Sequence, residues 1–275
     1  MWKNLLEKIK DFFLNILFPR FCLNCRKEGS YLCQDCQAIL EISEYQYCLC
    51  PKPKRVFKKG KCSQCCSNSL SGLYFALPYQ NNLIKNLIQK FKYEPFIKEL
   101  AIPLSSLIIS HFQCLENKPD FFYPVSPAPK LGSGSNGADF IIIPVPLSKK
   151  RLKWRGFNQS EEIGKEFSRL LNIPLINDAL IKIKETPPQV ELSEKEREEN
   201  IKGVFLVKNN DKIYPVRESE KLGNTKDIDF SNGVKGKKIL LVDDVYTTGS
   251  TMKECAQILK EVGVKEVWGV AIARG

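Results

Sequence analysis

The segment Ile239-Leu-Leu-Val-Asp243-Asp244-Val245-Tyr246-Thr247-Thr248-Gly249-Ser250-Thr251 constrains this chain more than any other. An apolar strand delivers two adjacent carboxylates to its end, and a turn rich in hydroxyls follows. Thr251-x-x-Glu254 then has the pattern that opens a helix, expected to run to about Val262. Strand, turn and helix in this order belong in an α/β sheet, where ligands collect outside the carboxyl ends of the strands. Backbone N–H groups at a helix N-terminus favour an anion. Gly249 permits close approach of the backbone to a phosphate, and Thr247, Thr248, Ser250 and Thr251 offer hydroxyl donors. Asp243 and Asp244 repel phosphate, but they suit the vicinal hydroxyls of a sugar or a hydrated Mg²⁺. The ligand these groups describe is a ribose 5-phosphate with metal near its ribose face. A strand–turn–helix without any phosphate is the alternative.

The flanking pattern agrees with an α/β sheet. Strands are expected at Tyr74–Leu77, Ile141–Pro146, Leu180–Ile183, Ile239–Val242 and Val267–Ala273. Helices are expected at Asn81–Tyr93, at Ile97–Phe112, and after Asn158-x-x-Glu161, a second capping-box pattern. Alternation of this kind predicts a largely parallel sheet. Residues 124–139 and 213–235 are polar and irregular and are expected to be loops. Lys90 and Lys92 look like a solvated helix end, His111 and Cys255 like packing residues, and Cys114 has no partner by sequence.

Nine of the eleven cysteines fall within residues 22–66. Trp2 to Phe18 has its apolar residues on one helical face but carries Lys3, Glu7, Lys8, Lys10 and Asp11, unlike an export signal. It is expected to be a packing helix, or one that docks on a membrane surface or partner. The expected compartment is then reducing and cytoplasmic, where clustered thiols are metal ligands rather than disulfides. Cys22-x-x-Cys25 with Cys33-x-x-Cys36 makes one tetrahedral zinc site, and Cys48-x-Cys50 with Cys62-x-x-Cys65 makes a second. Crossed pairing is open, and the short Cys48–Cys50 knuckle leaves the count at one or two. Four thiolates leave no open position, so such zinc is structural. Six basic and no acidic residues lie between Cys50 and Cys62. They suit either a phosphate backbone or plain solvent.

The net charge of +11 favours an acidic partner without choosing one. No apolar run is long enough for a transmembrane helix, which argues against an integral membrane protein. Lys149, Lys150, Arg151, Lys153 and Arg155 place five cations in seven residues after a predicted strand. Arg151 and Arg155 are the candidates to face the same crevice as Asp243 and offset negative charge there. The same cations could hold a DNA backbone, with Trp154 or Phe157 stacking a base, or be surface charge alone.

The Asp243–Thr251 segment resembles the 5-phosphoribosyl 1-pyrophosphate (PRPP) motif of type I phosphoribosyltransferases. Three further stretches resemble the ComF family when joined to the cysteine knuckles: Val145-Pro146-Leu147 with Arg151-Leu-x-Trp-Arg155-Gly156-Phe157-Asn158-Gln159, Thr186-Pro187-Pro188-Gln189, and Leu192 to Phe205. The resemblance covers nearly the whole chain, apart from the short knuckle and the two polar stretches. It implies a type I phosphoribosyltransferase-like, mostly parallel sheet with flanking helices behind a small zinc ribbon. The expected segments are a helix at 1–20, a zinc module at 21–70 and the main domain at 71–275. Asp243 and Asp244 would contact the ribose hydroxyls, and Val245, Tyr246, Thr247, Thr248, Gly249, Ser250 and Thr251 would lie around the 5-phosphate. Catalytic roles would fall to Asp243, Asp244, Arg151 and Arg155, with Gln189, Arg197 and Asn200 as further determinants. The resemblance implies PRPP binding with Mg²⁺ and help in handling single-stranded DNA during natural competence. It also admits a competence helicase or membrane-channel partner at a membrane-proximal site. The alternative is a metabolic enzyme that transfers ribose 5-phosphate to an acceptor the sequence does not name.

Overall fold

The structure, a computed structural model, describes residues 17–57, 60–122, 139–185, 200–207 and 234–275. Residues 1–16 of the expected N-terminal helix, most of the two expected loops, and Gln189 and Arg197 lie outside them.

Four strands form one sheet: β1 (Gly72–Pro78), β2 (Phe140–Pro144), β5 (Lys238–Tyr246) and β6 (Glu266–Arg274). Their order is β1-β6-β5-β2, and every neighbouring pair is parallel. A separate antiparallel pair joins β3 (Leu180–Lys182) to β4 (Phe205–Val207). The sheet is covered on both faces, which explains why its strands read as continuous apolar runs. Alternate residues feed opposite cores: Leu240 and Val242 enter one, Ile239 and Leu241 the other.

The first core takes in α2 (Asn82–Lys92), α3 (Ala101–Cys114) and α5 (Gln159–Leu171). The second takes in α6 (Ser250–Glu261) and the β3–β4 pair. The cysteine-rich segment contributes to both. Cys22, Cys33 and Cys36, the last in the short helix α1 (Gln34–Ala38), pack into the first core, and Cys48, Leu49 and Cys65 into the second. His111 is buried in the first-core helix α3 with Nδ1 on the Ser43 carbonyl, and Cys255 is buried in α6, both as expected for packing residues.

Two helix starts differ from expectation. Asn158 caps α5 at the Ser160 N–H, while Glu161 is drawn off to Lys165 at 2.8 Å. The cap of α6 is Gly249, not Thr251, because Gly249 takes the left-handed conformation and the helix begins at Ser250. Glu254 instead accepts the Gly203 N–H at 2.8 Å.

Candidate functional site

Strand β5 runs further than its apolar stretch, so Asp243 and Asp244 stand within its last turn of pairing, Asp243 opposite Ala271 of β6. Asp243 Oδ1 accepts the Ser160 hydroxyl at 2.8 Å and the Asp244 N–H at 2.9 Å. Ser160 sits in the first turn of α5, so the positive end of that helix also faces the carboxylate. Asn158, which caps the helix, donates from Nδ2 to the Val145 carbonyl at 3.0 Å, and the Val145 N–H bonds to Val242. The exits of β2 and β5 and the start of α5 are thereby held as one unit.

Asp244 is 2% exposed, and its Oδ1 lies 3.0 Å from Lys92 Nζ. Its Oδ2 is buried with no hydrogen-bond partner among the described residues. Lys92 was expected to be a solvated helix end. It is instead the carboxylate's counter-ion, because the last turn of α2 comes down over the end of the sheet. Burial, and next the charge of Asp244, push the Asp243 carboxyl up to about 7, against the opposing pull of Lys92 and Ser160. Burial and the neighbouring charge thus make ionisation of Asp243 costly, and Lys92 offsets that cost in part.

Beyond Tyr246 the chain turns through Thr247 and Thr248 to Gly249. The hydroxyls of Thr248 and Ser250 lie 2.8 Å apart, and Thr248 Oγ1 takes the Ser250 N–H at 3.4 Å. Gly249 has φ +77°, and a Cβ placed there would lie 2.2 Å from the Tyr246 hydroxyl oxygen. Only glycine fits both the angle and the space. The Tyr246 side chain is thus buried beneath the turn in the second core, and Thr247 is exposed at its surface. The first turn of a twelve-residue helix opens directly behind, a place suited to an anion.

The basic stretch forms α4 (Lys149–Arg155), capped by Ser148. Its two candidate arginines separate. Arg155 is 8% exposed, bonded to Gln159 and 6.0 Å from the Tyr93 ring, and the Asp244 charge acts on it. Arg151 is half-buried, and its described electrostatic neighbours are Arg155 and Lys182 rather than the carboxylates. Lys149, Lys150 and Lys153 are exposed. Trp154 is 55% exposed and packs edge-on to Phe96 and beside Tyr93, whereas Phe157 turns inward onto Phe91. Asn200 is helical and exposed.

The structure gathers both cysteine quartets: Cys22, Cys25, Cys33 and Cys36, and Cys48, Cys50, Cys62 and Cys65. Within each, all four sulfurs lie within 4.8 Å of one another. Tetrahedral zinc with bonds of about 2.3 Å needs sulfur–sulfur edges of about 3.8 Å. Cys25–Cys33 at 3.5 Å, Cys50–Cys62 at 3.5 Å and Cys62–Cys65 at 3.7 Å are close to that. Backbone N–H groups point at sulfur as thiolates require, from Cys36 to Cys33 at 3.4 Å and from Lys54 to Cys48 at 3.2 Å. Backbone N–H donation from Cys65, above all, pulls the Cys62 thiol down to about 6. The short Cys48–Cys50 knuckle therefore supplies two donors like the others, and both quartets can hold a metal. The basic loop between Cys50 and Cys62 is partly committed inward: Arg55 lies over the Tyr45 ring at 3.4 Å, and Lys61 donates to the Cys66 and Asn68 carbonyls.

Sequence reasoning missed Lys92 and Ser160. Only the strand end and the helix cap were signalled locally, and both partners arrive from other elements.

Among known proteins, the phosphoribosyl transferase domain family matches residues 165–274, which include the Asp243–Thr251 segment. Competence protein F of Haemophilus influenzae is 37% identical over 134 residues, 48% of this chain and 50% of that protein. The DNA utilization protein YhgH of Escherichia coli K12 is 33% identical over 129 residues, 46% of this chain and 47% of that protein. The chain spans about half the length of these relatives. Competence protein ComFC of Streptococcus pneumoniae is 27% identical over 258 residues, 90% of each chain. No helix among the described residues is long and apolar enough to cross a membrane.

Proposed function

We propose, for a chain that belongs to the ComF family of phosphoribosyltransferase-like proteins, that the end of β5 binds PRPP with Mg²⁺ and that the protein assists the handling of single-stranded DNA in natural competence. The observation that carries the first part is the half-buried Asp243 and the buried Asp244 beside a hydroxyl-lined turn and an open helix N-terminus. Asp243 and Asp244 accept from the ribose hydroxyls, since Asp244 Oδ2 has no hydrogen-bond partner among the described residues. The Thr247–Thr251 turn and the first N–H groups of α6 hold the 5-phosphate. Mg²⁺, when bound, neutralises pyrophosphate charge near the carboxylates. Lys92 and Arg155 are the cations on this side, and PRPP binding would set Lys92 free from Asp244.

Support for the second part is the names of the relatives and the face of α4, where exposed lysines surround Trp154. Cations on a strand's phosphates with a base stacked on the indole is the expected mode. Zinc in the two quartets is structural, since no ligand position stays open. Transfer of ribose 5-phosphate to an acceptor is the second reading, favoured by Arg155 beside the carboxylates, where a departing pyrophosphate would gather negative charge.

Calorimetric titration of PRPP with and without Mg²⁺, on the wild type and on Asp243→Asn/Asp244→Asn, tests the site. Saturable Mg²⁺-dependent binding that the double variant loses is expected. A folded, zinc-loaded wild type that binds no PRPP would overturn the reading and leave DNA handling by the basic face.

A further inference from the structure

We infer that Arg274 is a positioning residue that couples the Cys48/Cys50/Cys62/Cys65 quartet to the turn at Gly249. Arg274 ends β6 and is 7% exposed. Its Nη1 donates to the Cys48 carbonyl at 2.7 Å and its Nη2 to the Cys50 carbonyl at 2.5 Å. Both acceptors belong to metal-ligand candidates of one short knuckle. A planar guanidinium that bridges two carbonyls fixes their spacing and is itself fixed by them. On its other side the guanidinium lies 5.5 Å from the centre of the Tyr246 ring. Tyr246 stands opposite Arg274 in the sheet, and its ring fills the space under Gly249, where even a methyl group would collide. Quartet, arginine, tyrosine and turn are therefore in continuous contact.

The charge makes the link metal-dependent. Four thiolates on a divalent ion carry a net charge of about −2, and a buried guanidinium beside them offsets part of it. Without metal, nothing ties the four sulfurs together, and the knuckle is held only by hydrogen bonds, those from Arg274 among them. The guanidinium then loses the fixed spacing of its two carbonyls. The first quartet offers a built-in contrast. Cys22, Cys33 and Cys36 pack in the opposite core from Tyr246 and have no described contact with Arg274.

Hydrogen exchange of the turn, residues 246–253, in the full chain tests this, with zinc counted by elemental analysis. The comparison is Cys50→Ser against Cys25→Ser, which opens the first quartet instead. Expected is exchange in the turn at least about fivefold faster in Cys50→Ser and unchanged in Cys25→Ser. Arg274→Gln should quicken the turn to the same degree while zinc stays at the wild-type level, and Arg274→Lys should recover part of the protection. Equal exchange in the two cysteine variants, whether both fast or both slow, would overturn the coupling, even if Arg274→Gln fails to fold. The consequence for PRPP affinity rests on the proposed function, but the exchange readout does not. Failure of the wild type to bind PRPP would thus be told apart from failure of the coupling.

Discussion

Lys92→Met removes the cation from a site that keeps both carboxylates. At 3.0 Å and an effective dielectric of about 20, the attraction between Lys92 and Asp244 is about 5.5 kcal/mol. The lysine side chain is 23% exposed, against 3% for the aspartate, so water screens part of that term and already solvates part of the ammonium. Methionine keeps the aliphatic packing of the stem. A net loss of about 2–3 kcal/mol is expected, at or below the low end for breaking a buried pair. The sign of its pH dependence follows from the carboxylates. Lys92 holds the Asp243 carboxyl down, so without it the folded protein takes up protons more readily than the unfolded chain. The penalty is then complete at pH 8 and shrinks as acid neutralises Asp243. Urea unfolding of the wild type, Lys92→Met, Asp244→Asn and the double variant at pH 8 and pH 5.5 measures this. The cycle should show a coupling of about 2 kcal/mol at pH 8, and the Lys92→Met loss should be smaller at pH 5.5 than at pH 8. A loss below about 0.5 kcal/mol, or the same loss in the Asp244→Asn background, would refute the ion pair as a structural element.

Other consequences are open to direct measurement. With Asp243 near 7 because of burial and Asp244, Mg²⁺-dependent PRPP affinity should rise with pH up to about 7 and then level off, by calorimetry. The same raised value makes Asp243 a burden on the free fold above pH 7 that is relieved as the pH falls toward the ordinary carboxylate range, so Asp243→Asn should flatten both profiles. Gly249→Ala meets both a φ of +77° and the Tyr246 ring. It should cost more than about 1 kcal/mol in urea unfolding and weaken PRPP binding, and a loss within experimental error would contradict the close packing. Trp154→Ala should lower affinity for a short oligothymidylate by about tenfold in fluorescence anisotropy. The slope of affinity against salt should stay as it was, because the lysines remain; equal affinity would remove the indole from the DNA surface.

What the sequence made legible here was local. The Asp243–Thr251 segment names its own strand, turn and helix, because each part follows the last in the chain. The cysteine quartets were legible because knuckle spacing is a short-range constraint, and the nearest pairing is the one the fold adopts. Lys92 was not, since its sequence neighbours describe only an amphipathic helix end, and its role depends on where α2 crosses the sheet. Ser160 was hidden in the same way, as a capping-turn serine whose hydroxyl meets an aspartate from another element. The end of β5 was misjudged because charged residues normally close a strand, while here the parallel neighbour β6 carries the pairing on to Tyr246. Arg151 and Arg155 look alike in sequence, and only helix geometry turns one inward and leaves the other at the rim.

The strand order has a consequence for how the molecule is made. Among the described residues β1 has one partner in the sheet, β6, and Gly72 lies opposite Trp268. A ribosome must synthesise all the intervening chain before that partner leaves the exit tunnel. Until then β1, with Leu73, Tyr74, Phe75, Ala76 and Leu77 along it, is an unpaired apolar edge, the kind of surface that chaperones cover and aggregates recruit. The two cysteine quartets close over short stretches of chain and need no distant strand. During synthesis they are the parts able to mature early, flanking a sheet whose central strand arrives last.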